Sequence, residues 1–254
     1  MSTNLTGRVA LVTGAARGMG AAHARRLAAA GATVAVNDVR DGPELTALAE
    51  EIGGLTAAGD VSDPAACRRI ADDVARAAGR LDVLVANHAY MTMATLAEHD
   101  DADWWKVVDT NLGGTFFLVQ AVLPHMRAVG AGRIVVISSE WGVTGWPGAT
   151  AYTASKAGLI SLVKTLGREL AHEHVIVNAV APGVTDTPQL QVDADAAGVD
   201  LADMHRSYAS SIPLGRIGIA DEVSAAVELL ADFEMEAVVG QVISCNGGST
   251  RTRA

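Results

Sequence analysis

The stretch "RVALVTGAARGMGAAHARRLAAAG", Arg8 to Gly31, decides the fold. A β-branched, apolar run ends in a glycine-rich turn, Thr13 to Gly20, and an alanine-rich helix begins at once. Gly14, Gly18 and Gly20 let the backbone turn tightly and approach a pyrophosphate, with Arg17 and Met19 carried between them. The helix start offers free N–H groups and a partial positive charge to the same phosphates. A glycine turn alone is a weak signal in a chain with 26 glycines. Its position after the first strand strengthens it, as does Asp38 at the end of the second strand, "ATVAVND", about 20 residues on. A carboxylate there accepts hydrogen bonds from the adenine ribose. Asp60 and the Val61 backbone close a third run, "GLTAAGDV", and are placed to receive the adenine edge; a plain Asp cap before Ser62 reads the same way.

Outward from this unit the same alternation continues. The runs "LDVLVAN", "GRIVVISS", "VIVNAVAP" and "GQVISCNGG" read as buried strands, separated by segments of helical period that include Asp103–Met126 and Tyr152–His172. Asp63 followed by Pro64 is a helix start. The pattern predicts an α/β chain, residues 1–254 as a single Rossmann-type domain. Its seven-stranded parallel sheet runs in the order 3-2-1-4-5-6-7, with helices on both faces. The polar, irregular stretch at about 188–216 falls just past a strand's carboxyl end, where a lid over a ligand would sit.

Composition narrows the function. Half of the 254 residues are hydrophobic, and 19 basic against 29 acidic side chains leave a net charge of −10. Nucleic acid and anionic membrane surfaces are disfavoured as partners. The N-terminus lacks the features of a signal peptide, so a cytoplasmic location is expected. Cys67 and Cys245 read as buried thiols, and "HEH" at His172–His174 lacks a third ligand, so no metal is expected.

The segment "AYTASKAG", Ala151–Gly158, places Tyr152 and Lys156 four residues apart on one helix face. An ammonium beside a phenol favours phenolate and can draw a tyrosine pKa of about 10 toward neutrality, which makes a general acid/base. A surface helix with a chance tyrosine and lysine has the same spacing. Trp141 and Trp146 flank the stretch before Tyr152, while Gln189 and Met204 come from the lid region. Such a pocket suits an apolar or cyclic carbonyl better than a polyanion. Packing at a subunit contact is the other reading of the tryptophans. Nothing in the sequence says which way Glu140, beside Ser139, points.

Together "TGAARGMG", Asn111 in "NLGG", Ser139 in "ISS", Tyr152 and Lys156 in "YTASK", and "APGVTDTP" resemble the short-chain dehydrogenase/reductase family over essentially the whole chain. The resemblance implies that Tyr152 donates or accepts the proton and Ser139 holds the substrate oxygen. It implies that Lys156 binds the nicotinamide ribose and Asn111 holds a water in a proton relay. Pro182 and Gly183 resemble the turn beside the nicotinamide, with the Val184 and Thr185 backbone and the Thr187 hydroxyl offered to carboxamide and phosphate; Thr187 is equally suited to cap a lid helix. One departure is "ANHA", Ala86–Ala89, where the family has Asn-Asn-Ala-Gly: Asn87 keeps one amide, and a larger His88 enters as a substrate-side group or as filling.

The activity expected is NAD(H)-dependent interconversion of a secondary alcohol and a ketone, with a small-molecule substrate. Two alternatives are an NADPH-dependent 3-oxoacyl-thioester reductase, against which Val39 rather than a basic residue follows Asp38, and a silent dinucleotide sensor. Arg17 and Arg40 are the groups that could turn to a 2′-phosphate and reverse the cofactor preference. A homotetramer, or failing that a dimer, is expected through the outer faces of the two long helices.

Overall fold

A computed structural model of the chain describes residues 3–250, with only the backbone at position 196. Its strands are the apolar runs read from the sequence: β1 (Val9–Thr13), β2 (Thr33–Asn37), β3 (Leu55–Thr56), β4 (Val83–Ala86), β5 (Gly132–Ile137), β6 (Val175–Pro182) and, near the end, β9 (Val242–Cys245). All pair in parallel in the order β3-β2-β1-β4-β5-β6-β9. This is the predicted sheet. Two short strands, β7 (Thr185–Asp186) and β8 (Gly218–Ile219), pair separately and account for the numbering of the last strand. Because β1 pairs with both β2 and β4, the chain order reverses there, and a crevice opens beyond the carboxyl ends of these strands.

The period-2 alternation of each strand divides its side chains between two layers. Leu11, Leu84, Ile134 and Val177 face the layer of α3 (Pro64–Ala78), α5 (Gly114–Val129) and α7 (Thr150–Leu170). Val12, Val36, Val85 and Val135 face α1 (Gly18–Ala29), α2 (Pro43–Ile52) and α10 (Ala220–Ala231). Each of these aliphatic side chains is fully or nearly fully buried, worth about 1.5–3 kcal/mol apiece. The sheet is thereby a rigid platform, with functional groups at its carboxyl edge.

Two departures from the sequence reading matter. The helix expected over Asp103–Met126 is broken into α4 (Asp101–Val108), a π-helical turn over Asp109–Gly113, and α5. The wide turn rotates Asn111 inward, and Thr115 Oγ1 donates to the Asn111 carbonyl at 2.8 Å. Cys245 is only half-buried, unlike Cys67, because β9 lies at the sheet's edge. The stretch at 188–216 contains α8 (Pro188–Ala197) and α9 (Leu201–Ala209) around a small core of Leu190, Ile212 and Ile217. Among the described residues no group of three or more His, Cys, Asp or Glu can hold a metal, and no helix is long and apolar enough to cross a membrane.

Candidate active site

A cleft of about 850 Å³ runs along the carboxyl edge of the sheet. At one end the glycine turn is packed so closely that only hydrogen fits: a Cβ on Gly20 would stand 2.1 Å from the Gly14 carbonyl oxygen, and one on Gly14 would stand 2.9 Å from His88 Cα. Gly14 also has φ of +62°, a left-handed conformation. Arg17, the N-cap of α1, makes no side-chain capping bond, so the first amides of α1 face the cleft uncapped. Asn87 Nδ2 donates to the Thr13 and Gly14 carbonyls at 3.0 and 3.1 Å and ties the turn to the end of β4. A close-packed glycine turn with free amides fits a pyrophosphate.

At the rim beyond, Asp38 Oδ2 accepts from the Ala16 amide at 3.1 Å and Oδ1 from the Val39 amide at 2.8 Å. Its carboxylate is held against the glycine turn, with Arg17 and Arg40 lining the same end. Asp60 and Val61 form the neighbouring wall. The Asp60 Oδ1 caps Ser62, accepting from its amide at 2.9 Å and its hydroxyl at 2.8 Å, so the plain cap is the role its carboxylate fills.

Ser139 and Tyr152 meet at the other end. Ser139 follows the end of β5, and Tyr152 lies in the first turn of α7. Burial pushes the Tyr152 phenol up to about 12, against a downward pull from the Ser139 hydroxyl, and Asp193 adds to the rise. Burial is therefore the dominant influence on this phenol, ahead of the lowering expected from Lys156. The Lys156 ammonium is itself buried, donates to the Ile137 carbonyl at 2.7 Å, and sits 5.5 Å from the centre of the Tyr152 ring. Burial draws Lys156 down to about 7. The side chain of Lys156 lies behind the cleft wall rather than in it.

Asn111 also lies behind the wall, fully buried. Its Oδ1 accepts from the Tyr90 amide at 2.7 Å, and its Nδ2 donates to the Tyr90 carbonyl at 3.0 Å and the Ser155 hydroxyl at 3.1 Å. Every polar atom of this amide is used to join the loop after β4 to α7. The sequence reading missed Tyr90 and Ser155, whose roles appear only when the loop after β4 and α7 meet at Asn111.

The remaining candidates separate. Met19, Gly183, Thr185, Thr187, Trp141 and Gln189 line the cleft. Pro182 is buried inside β6 and does not. Thr187 is the N-cap of α8 by position but makes no side-chain capping bond. Trp146 stacks on Trp141 at 4.7 Å with planes 5° apart, behind the lining and 42% exposed. Met204 turns into the small core beside α8 and does not reach the cleft, because its helix spends its apolar face on holding α8. His88 borders the cleft with its Nδ1 turned into the fold, sharing a hydrogen bond with Thr13 Oγ1 at 2.8 Å, and burial followed by the Lys156 charge holds it down to about 3. Glu140 turns toward the C-terminal segment.

Comparison with known proteins places the chain in a family. The model of the short chain dehydrogenase family matches residues 8–197. The chain is 39% identical to 3-oxoacyl-(acyl-carrier-protein) reductase of Thermotoga maritima over 249 residues, covering 96% of this chain and 98% of that one. It is also 39% identical to 2-dehydro-3-deoxy-L-rhamnonate dehydrogenase (NAD(+)) of a Sphingomonas species, over 96% of both. A crystal structure of 3-oxoacyl (acyl-carrier-protein) reductase from Agrobacterium tumefaciens, with NADP bound, superposes with a TM-score of 0.88 at 33% identity, covering 96% of this chain and 95% of that one. With the fold, the glycine turn and the Ser139–Tyr152–Lys156 grouping in hand, the chain belongs to the short chain dehydrogenase family and is an oxidoreductase.

Proposed function

We propose that the protein interconverts a secondary alcohol and a ketone by hydride transfer and that it prefers NAD(H). The observation that carries this reading is the spacing of two ends of one cleft. The hydroxyls of Ser139 and Tyr152 face one end, and the carboxylate of Asp38 is pinned by two backbone amides at the other. In this reading Gly14, Gly18 and Gly20 receive the pyrophosphate, with Gly183, Thr185 and Thr187 at the nicotinamide end. Ser139 holds the substrate oxygen, and Tyr152 gives or takes its proton. Lys156 turns from the Ile137 carbonyl to a ribose hydroxyl, and Asn111 keeps α7 and the Tyr90 loop in register behind it. A nicotinamide dinucleotide, when bound, supplies the hydride and, oxidised, a positive charge next to a phenol that burial otherwise holds neutral. Helices α8 and α9 act as the lid. The exposed Trp105 and Phe116, on α4 and α5, support self-association through these helices, and a homotetramer acting in the cytoplasm completes the proposal.

The names of the relatives favour a second reading, NADPH-linked reduction of a 3-oxoacyl thioester, at least as well as the first. The NADP-bound similar structure weakens the preference for NAD(H), and Arg17 and Arg40 are positioned to pair with a 2′-phosphate. What supports NAD(H) is Asp38, since a carboxylate held at the ribose end repels that phosphate, together with a relative at the same identity whose name specifies NAD(+).

One experiment separates them: kcat/KM with NAD(H) and NADP(H), each against simple cyclic ketones or alcohols and against a 3-oxoacyl thioester. The first reading expects NAD(H) to be favoured by at least about tenfold, Asp38→Ser to narrow the ratio, and ketones to outperform the thioester. A preference for NADPH with the thioester replaces it by the second. Dinucleotide binding with no turnover of either would leave a sensor.

A further inference from the structure

Glu140 is the residue immediately after Ser139, and it is a carboxylate 93% buried with no cationic partner among the described residues. Its backbone is fully engaged. The amide donates to the Pro182 carbonyl at 2.9 Å, and the carbonyl accepts from the Val143 and Thr144 amides at 2.9 and 3.0 Å, which shapes the short helical turn α6 (Trp141–Thr144). The side chain reaches the other way, to the turn after β9. Its Oε2 accepts from Asn246 Nδ2 at 3.3 Å and from the Ser249 hydroxyl. Asn246 in turn gathers that turn, donating to Thr250 Oγ1 at 2.7 Å and accepting from the Gly248 amide at 3.1 Å.

Gly183 completes the contact. A Cβ on it would stand 2.8 Å from Asn246 Cβ and 3.1 Å from Glu140 Oε1, so the turn after β6 closes directly over both. Three segments, the Ser139 turn, the Gly183 turn and the C-terminal turn, therefore meet at one buried carboxylate. Only the first two carry groups that face the cleft.

We propose that Glu140 is a positioning residue that latches the C-terminal turn, Asn246–Thr250, to the reactive end of the cleft, so that the last described residues hold Ser139 and Gly183 at their working separation. The inference rests on the proposed function only where Ser139 and Gly183 are given roles; the latch itself is a matter of geometry. Its physical basis is coupling. A buried carboxylate whose two donors both belong to the far segment transmits any loosening of that segment to the turn on which Ser139 sits.

The test uses the full chain and the variants Glu140→Ala, Glu140→Gln, Ser249→Ala and the double variant Glu140→Ala/Ser249→Ala. Amide hydrogen exchange is read by segment, and kcat and KM are read with the best ketone and saturating cofactor. Ser249→Ala is expected to speed exchange at both 246–250 and 139–144 by roughly tenfold, because its hydroxyl is the bond that joins the first segment to Glu140 in the second. It is expected to lower kcat by several-fold with KM little changed, and Glu140→Ala is expected to lower it by about thirtyfold. Glu140→Gln keeps an oxygen that accepts from both donors and should recover activity to within about threefold. The double variant should be no worse than Glu140→Ala.

Additive kinetic losses, or faster exchange confined to 246–250, would overturn the latch. If Glu140→Ala does not fold, Ser249→Ala alone decides, because its exchange pattern needs no loss of fold. Exchange reads the latch without any turnover, so a failure of the ketone assay would count against the proposed function and leave the latch standing.

Discussion

The floor and the roof of the cleft are built on different principles. On the floor, Asn111, Lys156 and Ser155 are buried to within 1%, and their polar ends are bound by backbone or by one another: Lys156 to the Ile137 carbonyl, Asn111 to Tyr90 and Ser155, Ser155 to the Tyr152 carbonyl at 2.7 Å. The roof, α8 and α9, rests on a three-residue core, and its polar contacts, such as Gln189 to Asp193 at 3.0 Å, lie at the surface. Buried hydrogen bonds are expensive to break, because the partner left behind has no water to turn to. Exposed ones exchange with solvent at little cost. The floor can therefore hold reacting groups to a fraction of an ångström, while the roof is free to vary with substrate.

The contrast is most exposed to test at Tyr152. Tyr152→Phe keeps the ring against Trp141, whose centre lies 6.1 Å away, and removes only the hydroxyl. A loss in kcat of at least about a hundredfold, with cofactor affinity within about twofold, is expected from steady-state kinetics and a cofactor titration. Near-normal turnover would end the proton-transfer role. Behind it, Asn111→Leu fills the same space but strands the Tyr90 amide and carbonyl, and urea unfolding should show a loss of about 2 kcal/mol. A loss below ~0.5 kcal/mol would mean that the π-helical turn is held by something other than this amide.

Titration offers a third measure. His88, in the floor, and His23, wedged between α1 and α10 with Nδ1 2.7 Å from Ser224 Oγ, are held neutral by burial, at about 3 and about 4. Both folded values lie below the unfolded 6.5, so acid favours the unfolded chain, which takes up the protons that the folded one refuses. Stability is complete above pH 6.5 and falls as pH drops toward 4, by ~1.4 kcal/mol per unit for each histidine, with His88 continuing toward 3. Urea midpoints from pH 7 to 4.5 should show this slope, and His23→Leu should roughly halve it; an unchanged slope would return that group to ordinary titration. The smallest effect belongs to the roof. Gln189→Ala should move stability by less than ~0.5 kcal/mol and raise KM by a few-fold with kcat unchanged. A fall in kcat comparable to that of Tyr152→Phe would erase the distinction between floor and roof.

Where the sequence was read correctly, the signal was local. The glycine turn, the alternation of strands and helices and the Asp63–Pro64 helix start follow from periodicity and from steric demands of single residues, which act within a few residues of chain, whereas the grouping of Ser139 with Tyr152 was implied by the family resemblance. Asp63 Oδ1 does accept from the Ala65 amide at 2.8 Å, as that start requires. The misreadings share one cause. The break at Asp109–Gly113 depends on Asn111 finding Tyr90, 21 positions away, and Met204 turns inward because α9 has an apolar partner in α8.

The chain's own order of residues determined the parallel sheet, the dinucleotide-type turn and which side chains gather at its carboxyl edge, since backbone sterics and hydrophobic period are written residue by residue. Only the tertiary structure decided how strongly burial acts on those side chains and where they point. Burial holds Tyr152 up and Lys156 down against the field that their spacing implied, and the direction of Glu140 was settled by Asn246 and Ser249, more than 100 residues downstream. Desolvation and long-range hydrogen bonding depend on what the folded chain places around a group, and four residues of helix spacing carry no information about that.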